Sequence, residues 1–322
     1  MFPRISPFPR ISVLVVLILG LSFTQYAFAQ KQRRPARAPA PKFDEDQYKG
    51  IFFSDVTAVL KGELPTKRAS IAAAPSAGQG SKSEAASEDA DDPMAWKNII
   101  SPVSLEDLVK SSKLKLDRIV TTPTAFAGGG YQEARTEFGI LAMLFAIIEV
   151  HPEDVRWKSS ASLAREMMAR TSANAKIGSR QVFDEAKKRK FDLEDLLGGS
   201  KLQGTAKTET DWSNLIDRVP LMRVLETAHG EHVSKYVSNE QSFEENKSDL
   251  LKYSELIAAL GKTSLAEDMP DATDEDYQVF AKEMIKQAQQ VALAVKTNNA
   301  DMARQASGQI GQSCTNCHDN FR

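Results

Sequence analysis

The sequence predicts an all-α protein whose C-terminal part is an up-down-up-down four-helix bundle. From Trp96 onward, apolar residues recur with the 3.6-residue period of helices, and no sustained alternation typical of strands is present. Four amphipathic segments with short connections close the chain, which favours a bundle of alternating helix directions. With 322 residues, the chain is long enough for one or two domains with buried cores.

The four bundle helices are predicted at about 218–237, 241–261, 273–296 and 299–320. The first of them carries an apolar stripe formed by Met222, Leu225, His229, Val233 and Tyr236. Asp217 is a candidate N-cap for this helix, and Pro220 is tolerated in a first turn. We therefore interpret residues 206–322 as one bundle domain.

An earlier set of helices is predicted at about 104–117, 131–150, 156–174 and 179–197. Three glycines at 128–130 separate the first two, and Gly198-Gly199 ends the last. Residues 96–205 thus form a second helical domain. Residues 138–150 loosely resemble residues 253–268, so a degenerate duplicate of the C-terminal bundle is one interpretation. We slightly favour an unrelated helical domain, because apolar helices resemble one another by chance.

The N-terminal 95 residues are not expected to join either core. Residues 1–29 have a basic start, a short apolar run and an Ala27-Phe28-Ala29 cleavage pattern, which together are typical of a signal peptide. A membrane anchor is the alternative, but the apolar run is shorter than the roughly 20 residues that a spanning helix needs. Residues 30–95 are interpreted as a tether and a disordered low-complexity linker with few large apolar groups.

Composition excludes several classes of protein. The formal net charge is −2, and removing Arg4 and Arg10 with the signal peptide would make it more negative. Because a basic field is absent, nucleic acid is not expected as a partner. The chain has 2 cysteines, too few for a domain stapled by disulfides.

The two cysteines belong to a motif that carries chemistry, Cys314-Thr-Asn-Cys317-His318. Two thiols three positions apart can add to the two vinyl groups of one haem, and the adjacent imidazole then becomes the proximal ligand of its iron. A thioredoxin-like pair would open a helix beside a strand, and a structural zinc site needs four ligands. The motif therefore predicts one covalent haem c.

Residues 308–322, GQIGQSCTNCHDNFR, resemble the closing segment of the class II c-type cytochromes, the cytochrome c prime family. Leu221-Met222-Arg223, with Arg218 ahead of them, resembles the start of that family's first helix. The resemblance covers about residues 211–322 and leaves residues 31–210 unexplained. It implies a haem bound at the end of the fourth bundle helix, and it implies that a homodimer could form through the first helices.

Bundle geometry brings the end of the fourth helix near the start of the first, where Met222 lies. In the resembling family this position is the distal site. A Met there implies a six-coordinate, low-spin iron with Met222 and His318 as ligands, whereas a Leu implies a five-coordinate iron that binds small gases. The alternatives are that Met222 only fills the core, that Leu221 occupies the distal position, or that His229 is the ligand.

Further cofactor-binding residues are predicted around the same end of the bundle. Tyr277 and Phe280, with Leu260, are candidate wall residues. Gly311 would let the macrocycle approach the backbone. Arg218 and Arg322 would pair with the haem propionates, or be solvated surface charges.

These observations predict an exported, periplasmic monohaem cytochrome that carries electrons between redox protein partners. A five-coordinate protein that binds NO or CO is the alternative. A third interpretation is a docking module at residues 96–200 that delivers the haem domain to a partner. An enzyme is not expected, because no distal acid/base pair or nucleophile motif is present. No membrane span is expected after cleavage of the signal peptide.

Overall fold

The structure is a computed structural model that describes residues 92–207 and 209–321, and all regular secondary structure in this part of the chain is helical, without a strand. Its longer helices are α1 (Pro102–Ile119), α2 (Tyr131–Val150), α3 (Ala161–Asn174), α4 (Arg180–Leu197), α5 (Arg218–Thr227), α6 (Lys247–Thr263), α7 (Glu275–Lys296) and α8 (Ala300–Asn320). Shorter helical pieces are Trp96–Ile99, Pro123–Ala125, Lys158–Ser160, Trp212–Asn214 and Glu240–Glu245, and π-helical turns span Phe126–Gly130 and Ala228–Ser234. The all-α prediction is confirmed, whereas the predicted signal peptide, the tether and nearly all of the linker lie outside the described residues.

The turn between α7 and α8 shows how the sequence reverses the chain. Asn298 adopts a left-handed conformation with φ 55°, which Asn tolerates better than most residues. Its N–H donates to the carbonyl of Val295, and the N–H of Asn299 donates to that of Ala294, which is a Schellman ending. The Asn299 side chain then accepts from the N–H of Met302 and caps α8. Two asparagines thus end one helix and start the next within three residues.

Glycines end or bend two other helices. Gly199, with φ 98°, follows α4 and produces the same type of ending, with the N–H of Ser200 donating to the carbonyl of Asp195. Gly129, with φ 135°, bends the chain directly before α2. Both conformations strain any residue with a Cβ.

Two predicted details of the first bundle helix are corrected by the structure. Asp217 occupies the N-cap position of α5 but makes no side-chain cap bond, because its carboxylate accepts a hydrogen bond from Arg135 instead. The helix predicted over 218–237 is α-helical only to Thr227 and continues as a π-helical turn through Ser234. Local sequence does not reveal either feature, since the first depends on a partner 82 residues away.

The C-terminal helices form a bundle in which α6 packs on α7, α7 packs on α8, and the π-helical turn after α5 contacts both α6 and α8. Small residues allow the closest approach. A Cβ on Gly261 of α6 would lie 2.7 Å from Ile285 and 2.9 Å from Met284, both on α7. The α6–α7 spacing therefore depends on a glycine at this position.

The earlier helices pack directly against this bundle, α2 against α5 and α1 against α6. Glu255 of α6 is buried and accepts hydrogen bonds from both the N–H and the hydroxyl of Ser101, at 3.1 and 2.8 Å. One hydrophobic cluster runs from Trp96 to Ile310. The predicted division near residue 205 stays a prediction, although the core is continuous across it.

None of the helices in residues 92–207 and 209–321 combines the length and the apolar character that crossing a membrane requires.

Replacing Gly261 by Ala should destabilise the protein, even though Ala is the better helix former, because its methyl group collides with Ile285 and Met284. We expect a loss of about 1–3 kcal/mol in the free energy of unfolding, measured by chemical denaturation.

Gly308→Ala is the matched control, because Gly308 is exposed on α8 and a Cβ there meets no atom within 4 Å. It should stabilise the protein by about 0.5–1 kcal/mol. Equal effects of the two substitutions would contradict the proposed close approach of α6 and α7.

Candidate haem site

A cavity of about 400 Å³ lies at one end of the C-terminal bundle. Six of the residues predicted from the sequence line it: Met222, Tyr277, Phe280, Cys314, Cys317 and His318. They come from three helices that are far apart along the chain. A cavity of this size is within the range of small-molecule and cofactor sites.

The lining residues also reveal the directions of the helices. The cavity is lined by α5 from Met222 onward with the first residues of its π-helical turn, by the residue that follows α6, by the first half of α7 and by the last turns of α8. The end of α6, the start of α7 and the end of α8 therefore meet at one site, as alternating helix directions in a bundle require. Ser264, which immediately follows α6, marks the contribution of that helix.

The two thiols lie one helical turn apart on α8. Cys314 and Cys317 are both partly buried, and both line the cavity. Burial raises the pKa of each thiol, and the neighbouring Cys317 adds to the increase at Cys314. Both side chains are therefore neutral thiols near pH 7. His318 follows on the same helical turn and is exposed at the edge of the cavity.

The first helix presents Met222 and His229 to the cavity, whereas Leu221 is buried in the core and does not line it. The Nε2 atom of His229 lies 3.0 Å from the carbonyl oxygen of Ser307. Because a carbonyl only accepts, this nitrogen must carry the proton and donate. In this tautomer Nε2 cannot bind a metal, so His229 could act as a ligand only through Nδ1.

Aromatic rings form the wall at the start of α7 and the end of α8. Phe321 makes an edge-to-face contact with Tyr277, at 5.4 Å between ring centroids, and a second with Phe280 at 6.5 Å. Burial raises the pKa of the Tyr277 hydroxyl, which stays protonated at neutral pH. The three rings hold the last turn of α8, and with it His318, against α7.

Three other predicted residues, Arg218, Gly311 and Leu260, do not lie on the cavity wall. Arg218 forms an ion pair with Asp271, which raises the pKa of its guanidinium. Gly311 faces His229, whose Cε1 would be 3.4 Å from an added Cβ. Leu260 is fully buried in the core. Arg322 lies outside the described residues. The propionate pairing of the two arginines and the role of Gly311 stay predictions.

Several lining residues were not identified as site residues from the sequence. These are Leu225, Glu226, Gly230, Ser264, Ala281, Met284 and Ser313, together with His229. Most lie three or four positions from a predicted site residue, as Ala281 does from Tyr277 and Met284 from Phe280. The helical period was therefore the signal that could have found them.

The residues fit a covalently attached haem. A mostly apolar cavity brings together two thiols one turn apart, a neighbouring imidazole and a thioether from another helix. Residues 261–322 match the family model described as Cytochrome C'. The C-terminal part of this chain is similar to the cytochrome C' family.

The family match supports a haem c-type cytochrome, and the family implies haem c with iron. Cys314, Cys317 and His318 stand in the CxxCH arrangement that such attachment uses. The match covers α7, α8 and the segment before α7, so it does not extend to α5 or Met222. No curated protein and no solved structure matches the chain.

Replacing Phe321 by Ala should loosen the final turn of α8, because the rings of Tyr277 and Phe280 lose their partner. We expect a loss of about 1–3 kcal/mol in the free energy of unfolding, measured by denaturation, from lost apolar burial and aromatic pairing.

Leu114→Ala serves as the control, because Leu114 is 60% exposed on α1 and should change stability little. If Phe321→Ala were as mild as Leu114→Ala, the aromatic contacts would not hold the end of α8.

Proposed function

We propose that this chain is an exported monohaem cytochrome that carries electrons, with its haem attached at Cys314 and Cys317 and its iron held by His318 and Met222. The observation that carries the proposal is that Met222 lines the same cavity as the attachment motif, although 95 residues separate it from His318 in the sequence. Leu221 is buried in the core away from this cavity, and His229 could reach the iron only through Nδ1, because its Nε2 donates to Ser307.

Each residue has a distinct part in this proposal. The two neutral thiols are the groups that would hold the haem covalently at the last turns of α8. The His318 imidazole and the Met222 thioether, from two different helices, would hold its iron, and a Met/His pair raises the reduction potential. When bound, haem supplies an iron centre that accepts and releases one electron.

The surroundings of the site favour electron transfer with little rearrangement. Tyr277, Phe280 and Met284 give the cavity an apolar and aromatic wall on the side of α7. Phe321 packs on this wall and holds the turn that carries His318. Ligands held on packed helices change position little between oxidation states, and small displacement favours rapid transfer of an electron.

The second candidate is a five-coordinate protein that binds NO or CO. The mostly apolar lining of the cavity favours it, because such a lining accepts small uncharged gases. This function requires that Met222 stays off the iron. The two candidates therefore differ in one bond, and spectroscopy distinguishes them.

We further propose that the partners are redox proteins and that the chain acts outside the cytoplasm without enzymatic activity. Proteins of the matched family are generally exported, which supports the location. The predicted signal peptide is consistent with it. Enrichment of the holoprotein in the periplasmic fraction of a bacterial host, with cleavage after Ala29, would test this part of the proposal.

Met222→Leu should abolish the weak near-infrared band that arises from sulfur-to-iron charge transfer in the oxidised protein. The reduced variant should also bind CO rapidly, because the sixth position is no longer held by the thioether. Absorption spectra of the parent and the variant, with CO mixing, measure both effects.

Met302→Leu and His229→Gln are the controls, since Met302 lies in the first turn of α8, far from the cavity, and Gln retains a donor for the Ser307 carbonyl. Both should keep the band. A high-spin parent spectrum without the band would instead support the gas-binding protein. A low-spin parent spectrum without the band, converted to high-spin only by His229→Gln, would assign the ligand to His229.

Each thiol should form its own thioether link. In a host competent for haem maturation, Cys314→Ser and Cys317→Ser should each retain one covalent link, and the double variant should retain none. Mass spectrometry of the denatured polypeptide measures the added mass of one haem. A parent protein without this mass would refute haem attachment altogether.

A further inference from the structure

A second cavity, of about 360 Å³, lies between α1, α2, α6 and the helix formed by α5 with its π-helical turn. We propose that this cavity binds a small aromatic carboxylate that carries a hydroxyl group on its ring. The proposal is independent of the haem, because the residues that carry it lie on other faces of the helices. Its support comes from two polar atoms without partners, a flat aromatic surface and two arginines at the rim.

Two side chains that line the cavity each carry a buried polar atom that lacks a hydrogen-bond partner. One is Oε2 of Glu137, whose other carboxylate oxygen accepts from Lys115 at 3.0 Å. Glu137 is only 8% exposed. The other is Nδ1 of His232. Buried polar atoms are almost always paired, with protein, water or ligand, so two in one cavity point to a ligand that supplies a polar hydrogen.

The aromatic character of the ligand follows from the wall beside His232. The imidazole stacks on the Tyr253 ring with 3.6 Å between centroids and 2° between planes. Burial lowers the pKa of His232 and raises that of Tyr253 to about 12, so both rings are uncharged near pH 7. Apolar side chains from α1, α2 and α5, among them Leu108, Ile140 and Val224, complete a lining that suits a flat ring.

The carboxylate of the ligand is inferred from the rim. Arg118 of α1 and Arg223 of α5 both line the cavity and are exposed. Neither forms an ion pair with a carboxylate within the described residues, whereas Lys115 is engaged with Glu137. One acid, Glu133, also lies on the wall. Two guanidinium groups against a single unpaired acid leave a positive rim, and guanidinium groups bind carboxylates in a planar, bidentate manner.

The ligand is therefore oriented with its carboxylate at the rim and its hydroxyl toward the interior of the cavity. Its carboxylate meets Arg118 and Arg223, and its ring lies among the apolar side chains. Its hydroxyl lies beside Glu137 and His232, where a rotation of either side chain turns Oε2 or Nδ1 toward the cavity to accept the hydrogen bond. A neutral phenol would lack the first contact, and an unsubstituted benzoate would lack the last. These two analogues thus test the two ends of the site separately.

The experiment is a calorimetric titration of the full-length holoprotein with 4-hydroxybenzoate, benzoate and 4-hydroxybenzamide. We expect saturable binding of one 4-hydroxybenzoate per chain. Both analogues should bind roughly tenfold more weakly or worse, because each loses hydrogen bonds to a buried or charged group. Absence of saturation with 4-hydroxybenzoate, or equal binding of all three compounds, would overturn the proposal.

Variants on the protein side assign the site. Arg118→Gln with Arg223→Gln should weaken 4-hydroxybenzoate binding about tenfold or more, and Lys187→Gln with Lys188→Gln, on exposed positions of α4, should leave it unchanged. His232→Phe preserves the ring stack on Tyr253 but removes the nitrogen, and Glu137→Gln keeps the shape of the side chain, so at least one should also weaken binding. Binding that survives all of these cavity variants, or that falls equally in the lysine control, would place the ligand elsewhere and refute the site. Haem content, measured by absorbance, reports on the proposed cytochrome separately.

Discussion

The antiparallel pairing of α7 and α8 is the constraint on which the haem site depends. The attachment motif lies in the last turns of α8, and helix ends fray unless tertiary contacts hold them. The turn at Thr297–Asn299 reverses the chain within three residues, and this reversal brings the end of α8 beside the start of α7. Phe321 then packs on Tyr277 and Phe280, so the terminal turn has tertiary contacts. A cofactor linked at Cys314 and Cys317 would therefore be fixed to a helix end that is itself held in place.

The helix that carries Met222 has a second constraint, because it serves as a wall for two cavities. Met222 and His229 line the haem cavity, whereas Arg223 and His232 line the other. The π-helical turn at Ala228–Ser234 contributes to this division. Its hydrogen bonds span five residues, so it has more residues per turn than an α-helix and separates side chains three positions apart more widely. His229 and His232 consequently point into different cavities, although they are on one helical segment.

Features that depend on residues close together in the sequence could be predicted, whereas most of those that depend on contacts between distant segments could not. The attachment motif is local, so its residues could be named directly. The position of Met222 beside the motif could be predicted, because the alternating directions of bundle helices bring the start of the first helix near the end of the last. The missing cap bond of Asp217 could not be predicted, because its carboxylate accepts a hydrogen bond from Arg135, which lies on a helix outside the bundle. Glu137 and His232 face one cavity only because α2 packs against α5, and no periodicity within either segment encodes that contact.

The earlier helices therefore have a structural part in the C-terminal bundle. As an α-helix, α5 has only 10 residues, and a helix of that length is marginal in water without tertiary packing. It is supported by the π-helical turn and the bundle on one side and by α2 on the other. Gly139 of α2 permits this contact, because a Cβ there would lie 2.7 Å from Ile216, directly before α5. Since Met222 lies in the first half of α5, its distance from the attachment motif is determined in part by residues 131–150, far outside the segment that matches the cytochrome C' family.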